Sequence, residues 1–280
     1  HERSSAASDV YKRQLIAGPP RPIPAHAAIL PDLVAWADQI DGLATSGVSA
    51  EDLAGLLIHS RHLQSIARAQ QDAILPILNG TGAAIIDAAV NTLFDVADTA
   101  ADDAAMMAAI RHLRQRSGLA TALADLANKA DVGTQMNWLS TAADAAIAAT
   151  VRYLFRQAAA RGLVLPDCTG QRGCGWTILA LGKLGASELN YSSDVDMIIL
   201  HDPENNALTN PETSQTFFVD LTRHLVSLLS SATRDGIGWR VDLRLRPDPG
   251  ATAVSIQREA AIGYYAVSYT HLTLPTIVRG

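Results

Sequence analysis

The sequence predicts an α+β protein, an all-helical N-terminal region followed by a smaller domain that mixes strands with helix. Three observations carry this. Aromatics make up 5% of the 280 residues while alanine is abundant, a composition that suits packed helices better than a β-sandwich. From Ala25 to about Leu163 the apolar residues recur near the helical period. Beyond Pro166 that period stops, and short apolar runs set between glycines, prolines and aspartates read as buried strands.

Taken in order, Leu15–Pro24 is rich in proline and glycine and reads as an extended lead-in. In VSAEDLAGLLIHSRHLQSIARAQ, Ser49 stands as N-cap with Asp52 three residues on, the spacing of a capping box. Leu53, Leu56, Leu57 and His59–Leu63 follow near a 3.6 period. AAIIDAAVNTLFDVADTA and DDAAMMAAIRHLRQRSGLATALADLA are further amphipathic runs, and STAADAAIAATVRYLFRQAAARG ends in Gly162 as C-cap. No repeat of fixed period occurs. The segment LVLPDCTGQRGCG breaks the pattern, dividing a helical region over 15–165 from a second domain over 166–266. There, Gly175–Leu181 and Asp194–Asp202 read as strands. Asn210 and Pro211 open a helix to about Ala232, with Phe218, Leu221, Leu225, Leu228 and Leu229 as one apolar stripe. RDGIG ends it, Trp239–Pro247 reads as a third strand, and Ser255 as the N-cap of another helix.

The length is enough for two domains and a core. A formal net charge of −6 argues against a general nucleic-acid binder, which carries a basic face. No apolar run reaches the roughly 18 residues of a membrane span, and no secretory signal is visible at the start. The reading is therefore cytoplasmic, with no nucleic acid and no membrane as partner, and Cys168 and Cys174 as free thiols in a reducing compartment. Both ends look foreign to the rest. SDVYKRQ (Ser8–Gln14) and VSYTHL (Val267–Leu272) resemble one sequencing-adapter sequence translated from opposite strands. That sets residues 1–14 and 267–280 apart from a native stretch of about 15–266, truncated at its end.

The chemistry lies in the second domain. Strand side chains alternate, so Asp194 and Asp196 point to one face while Val195, Met197 and Ile199 point into the core. On the third strand Trp239, Val241, Leu243 and Leu245 share an apolar face, and Arg240, Asp242, Arg244 and Arg246 share the other. If these strands are neighbours, Asp194, Asp196 and Asp242 converge. Three like charges repel unless a cation lies between them, and all-oxygen ligands suit Mg²⁺, one ion or two. Alone, an Asp-x-Asp pair is commonly a solvated strand end. Upstream, however, Gly182 and Gly185 flank Lys183 directly after a strand, placing open backbone and a cation beside the carboxylates, as a phosphate cradle does. The spacing is neither that of a P-loop nor of a dinucleotide fingerprint.

A strand, a glycine turn, Asp-x-Asp and a later strand with a third Asp resemble the polymerase-β-type nucleotidyltransferase fold with its small mixed sheet. Within it, GKLGASELNYSSDVDMIIL, DGIGWRVDLRLRP and AIGYY resemble the glutamine synthetase adenylyltransferase/adenylyl-removing family, over about Gly175 to Tyr265. The resemblance implies Asp194, Asp196 and Asp242 as catalytic metal ligands. It implies Gly182, Lys183, Gly185, Ser193, Arg244 and Arg246 as phosphate- or nucleotide-binding residues, with Mg²⁺, two ions in that family's pattern, as cofactor. It further implies glutamine synthetase and a PII-type nitrogen signal protein as partners, and phosphate, ADP and ATP as small ligands. ELNYSSD resembles the N-terminal, adenylyl-removing copy, which releases AMP from a tyrosine of glutamine synthetase by phosphorolysis, giving ADP. ATP-dependent adenylylation and a non-catalytic docking module stay open beside it. The stretch after RLRP departs from the family's G-x-x-G-P-L, reading DPGATAVS.

Overall fold

In a computed structural model, residues 31–168, 170, 174–204 and 206–268 are described. The expected lead-in, residues 1–14 and residues 269–280 lie outside them. The helical region comprises α1 (Pro31–Ala37), α2 (Ala50–Leu57), α3 (Arg61–Ala69), α4 (Ile74–Leu78), α5 (Gly82–Thr99), α6 (Asp103–Leu126) and α7 (Val132–Ala160). The rest comprises β1 (Trp176–Ala180), α8 (Gly182–Gly185), β2 (Val195–His201), α9 (Ser214–Ser230), β3 (Val241–Asp242), β4 (Ile256–Gln257) and α10 (Arg258–Ser268). This is the α+β arrangement that the sequence predicts. Among the described residues no helix is long and apolar enough to cross a membrane.

Local chemistry sets the helix ends. Ser49 and Asp52 form the capping box at α2: the Asp52 N–H donates to Ser49 Oγ at 3.1 Å, and the Ser49 N–H to Asp52 Oδ2 at 3.2 Å. Ser60, Asp102 and Asp131 accept from the first turns of α3, α6 and α7 in the same way. At the far end of α7, Gly162 takes φ +67°. The N–H groups of Gly162 and Leu163 then reach Ala159 O at 2.9 Å and Ala158 O at 3.0 Å, a Schellman closure that bonds otherwise orphaned carbonyls.

The apolar faces meet in two cores. One gathers Leu33, Leu53, Leu57, Ile74, Ile77 and Leu78 of α1, α2 and α4 with Leu119 and Leu123 of α6. The other continues from Leu93, Ile110 and Phe155 of α5–α7 into Val195, Met197 and Ile199 of β2 and Phe218, Leu225, Leu228 and Leu229 of α9. The stripes expected on β2 and α9 are thus buried, against each other and against the helical region.

β2 is central in a mixed sheet. β1 runs antiparallel to it, with Ala180 opposite Met197 and Trp176 opposite His201. β3 lies parallel along its start, Asp196 opposite Asp242, and β4 parallel along its end, Leu200 opposite Ile256.

Three expectations are corrected. The third strand is two residues long, not nine: after Asp242 the chain turns, Leu243 O accepts from the Arg246 N–H at 3.4 Å, and Leu245 is 51% exposed instead of buried. Ser255 caps no helix; it is fully buried and its hydroxyl meets His201 Nδ1 at 2.9 Å, because β4 intervenes before α10. Cys168 and Cys174 form a disulfide rather than free thiols, since the loop brings their Cα atoms to 5.8 Å, within bridging range.

Candidate active site

The site is assembled where β2 begins, between the glycine turn after β1 and the short β3. Asp194 directly precedes β2, so Asp194 and Asp196 share a face by alternation. Parallel pairing sets Asp242 beside Asp196. Both neighbours are tied in by backbone bonds: the Leu181 N–H donates to Asp196 O at 2.9 Å, and the Val195 N–H to Arg240 O at 2.8 Å. β3 itself is held by α9, where Ser230 Oγ donates to Trp239 O at 2.9 Å and accepts from the Val241 N–H at 3.2 Å.

The glycine turn wraps the carboxylate closely. Gly182 has φ +53°, and a Cβ there would stand 2.6 Å from Asp196 Oδ2. At Gly185 a Cβ would stand 2.6 Å from Ala180 O. Both glycines are therefore needed for the close approach of turn, strand and carboxylate.

Electrostatics separate the three acids. Burial raises the Asp196 pKa, and the charges of Asp242 and Asp194 raise it further, against the opposing pull of Arg244 and Lys183. Asp242 is lowered, first by its hydrogen bonds from the Arg244 side chain: Arg244 Nε lies 3.0 Å and 2.9 Å from its two carboxylate oxygens. Asp194 accepts from Arg240 Nε at 2.5 Å, and Arg240 Nη2 also donates to Ser192 O at 2.6 Å.

The structure brings together Asp194, Asp196, Asp242, Gly182, Gly185, Lys183 and Arg244 of the residues read from the sequence. Ser193 adjoins them, its hydroxyl donating to Asn190 Oδ1 at 2.6 Å. Arg246 is not brought in. It turns into its own loop, donating to Leu243 O at 2.8 Å and Pro249 O at 2.7 Å, because β3 ends before alternation can place it on the acidic face. Arg240 stands there instead. Its place on the same alternating face was legible, but its pairing with Asp194 depends on how β3 docks.

The donor set of three carboxylates suits a hard, oxygen-seeking cation. Two of the three, however, are engaged by arginines. As the side chains stand, no three His, Cys, Asp or Glu among the described residues are gathered as metal ligands. Asp194 is held at Oδ1 by Arg240, and both carboxylate oxygens of Asp242 are held by Arg244.

The family model described as glutamate-ammonia ligase adenylyltransferase matches residues 50–269. The chain belongs to this adenylyltransferase family. The match begins at α2 and takes in the whole of the acidic site. Curated relatives named bifunctional glutamine synthetase adenylyltransferase/adenylyl-removing enzyme agree. The one from Xanthobacter autotrophicus is 38% identical over 231 residues, 81% of this chain and 23% of its own length. That from Bradyrhizobium diazoefficiens is 35% identical over 229 residues, again 81% and 23%. One from Bradyrhizobium sp. (strain ORS 278) is 44% identical over 165 residues, 58% of this chain and 17% of its own. The chain thus spans less than a quarter of these adenylyltransferases.

Proposed function

We propose that this chain carries the adenylyl-removing site of its family. A phosphate oxygen attacks the α-phosphorus of adenylyl-tyrosine on glutamine synthetase, the phosphorus–phenolate bond breaks, ADP leaves, and the tyrosine oxygen takes up a proton. What supports this is the Asp196 carboxylate, half-buried between two further carboxylates and cupped by a glycine turn. That is a place where negative charge is crowded by construction and a phosphoryl group can approach bare backbone. The segment ELNYSSD, which resembles the removing copy, favours removal over attachment.

Asp194, Asp196 and Asp242 would hold Mg²⁺, which supplies neutralisation of the charge on the phosphoryl oxygens. The chain's own residues do the rest. The turn Gly182–Gly185 admits the phosphoryl group to within reach of backbone. Lys183 and Arg244, whose charges act on Asp196, orient its oxygens once Arg244 leaves Asp242. Phosphorolysis needs little acid–base chemistry from the protein, because phosphate is already an anion. A cytoplasmic setting and control by a PII-type signal protein follow from the same reading.

The test is Asp196→Asn, assayed with adenylylated glutamine synthetase and phosphate. ADP release should fall by on the order of a hundredfold or more, with the circular dichroism spectrum unchanged. Undiminished release refutes the reading. Labelled ATP with unmodified glutamine synthetase supplies the other arm, since the relatives' names carry both activities. Label transfer that depends on Asp196 would make this the attaching site.

A further inference from the structure

Asp194 stands where the loop 190–193 enters β2, so the aim of its carboxylate depends on how that loop is held. Upstream the chain is fixed: Leu189 is fully buried, and its N–H donates to Ser140 Oγ of α7 at 3.0 Å. Within the loop, Asn190 Oδ1 accepts from the Ser192 N–H at 3.3 Å and from the Ser193 hydroxyl at 2.6 Å. This Asx turn folds the segment on itself but does not fix where it lies. The loop runs along the seam between the helical region and the sheet, beside a cavity of ≈ 250 Å³ that Arg111, Arg114 and Arg240 also line. Close packing beneath it is therefore not what holds it.

What ties the loop across the seam is residue 191. The Tyr191 hydroxyl donates to Gly118 O at 2.5 Å, and the Tyr191 carbonyl accepts from Arg114 Nη2. Gly118 and Arg114 lie one turn apart on α6. Side chain and backbone of one residue are thus bonded to successive turns of one helix. That helix is a firm support, with Ile110 and Leu113 in one core and Leu119 and Leu123 in the other. From the sheet side, Arg240 meets the same segment at Ser192 O, 2.6 Å, and at Asp194 Oδ1, 2.5 Å. Tyr191 is 39% exposed, so its two bonds, more than its burial, fasten it.

We propose that Tyr191 is a positioning residue for Asp194: its hydroxyl fastens the loop to α6, so that the helical region sets the aim of the carboxylate. Tyr191 matters to the transfer only through Asp194, so this rests on the reading of the acidic site above. It adds that the helical region takes part in the reaction.

Tyr191→Phe tests this, because it keeps the ring and removes the hydroxyl. The urea midpoint should move by less than about 0.5 M. The amides of Ser192, Ser193 and Val195, bonded to Asn190 and Arg240, should exchange with deuterium roughly tenfold faster, while those of Met197–Ile199 in β2 keep their protection. ADP release from adenylylated glutamine synthetase should fall roughly tenfold in kcat, with KM for phosphate changed less than about twofold, because geometry and not binding is lost. Tyr153→Phe removes another hydroxyl bond of the helical region, to Asp103 Oδ1 at 2.8 Å, and should leave exchange at 192–195 as it was. Unchanged exchange at 192–195 in Tyr191→Phe overturns the proposal. So does faster exchange there with undiminished kcat, and so does an equal acceleration in Tyr153→Phe. Exchange needs no substrate: an Asp196→Asn variant that still releases ADP sinks the reading of the reaction, and exchange still decides whether Tyr191 holds the loop.

Discussion

A side chain at residue 182 would stand where the Asp196 carboxylate already lies. The 2.6 Å approach of a Cβ to Oδ2, together with φ +53°, makes Gly182→Ala a local insult to the site rather than to the fold. It should lower the rate of nucleotidyl transfer at least tenfold while costing about 1–2 kcal/mol of stability, read by comparing initial rates with urea midpoints. His201 makes a different point at the same scale. It is fully buried, stacked on Phe218 with ring centroids 5.4 Å apart, and burial lowers its pKa from 6.5. His112 is lowered by the same first cause. Each is held neutral in the fold and protonates more readily once unfolded. Their contribution is therefore present above 6.5 and lost as pH falls toward the depressed values. The urea midpoint should drop between about pH 7 and about pH 5, and His201→Gln should flatten that drop. An equal drop in the variant would exclude His201 as a source. The paired aspartates were legible from alternation alone. The depressed histidines were not, because burial depends on what packs against a residue rather than on its neighbours in sequence.

Among the elements, those specified by their own residues came through as read. The capping box at Ser49 and the glycine at 162 need only contacts within a few residues, so sequence and structure agree on them. Gly162→Ala forces a Cβ into the left-handed region at φ +67° with nothing near to clash, so it should cost about 1 kcal/mol and shift the thermal midpoint by only a few degrees. A loss several times larger would mean that the α7 end is held by more than its Schellman bonds. β3 shows the opposite case. Nine alternating residues suggested a full strand, and two are paired. The bonds from Arg246 to Leu243 O, Pro249 O and Thr252 O close a loop that competes with the ladder, and that competition is invisible to a period count.

For the whole molecule, one buried cation joins the helical region to the end of α9. Arg111 of α6 is 1% exposed and holds carbonyls of Leu228, Ser231 and Gly236 at and beyond the end of α9. A positive charge there also complements the helix dipole. Arg111→Met leaves these carbonyls without their donor and should cost about 2–4 kcal/mol, seen as a lowered denaturation midpoint. Because α9 carries Ser230, which positions β3, the same variant should lose activity even where it remains folded. A variant with wild-type stability would mean that water replaces the guanidinium without cost. By itself the sequence determined the order of the long helices, β1, β2 and α9, the caps at Ser49 and Gly162, the buried run of β2, and the shared face of Asp194 and Asp196. Periods of two and 3.6 and hydrogen bonds across three residues are local properties. Only the tertiary structure decided that β3 stops at Asp242, that Arg240 and not Arg246 meets the acids, and that Arg111, Arg114 and Arg240 line one cavity at the seam. Each of these depends on which distant segments pack together, and no local pattern records that choice.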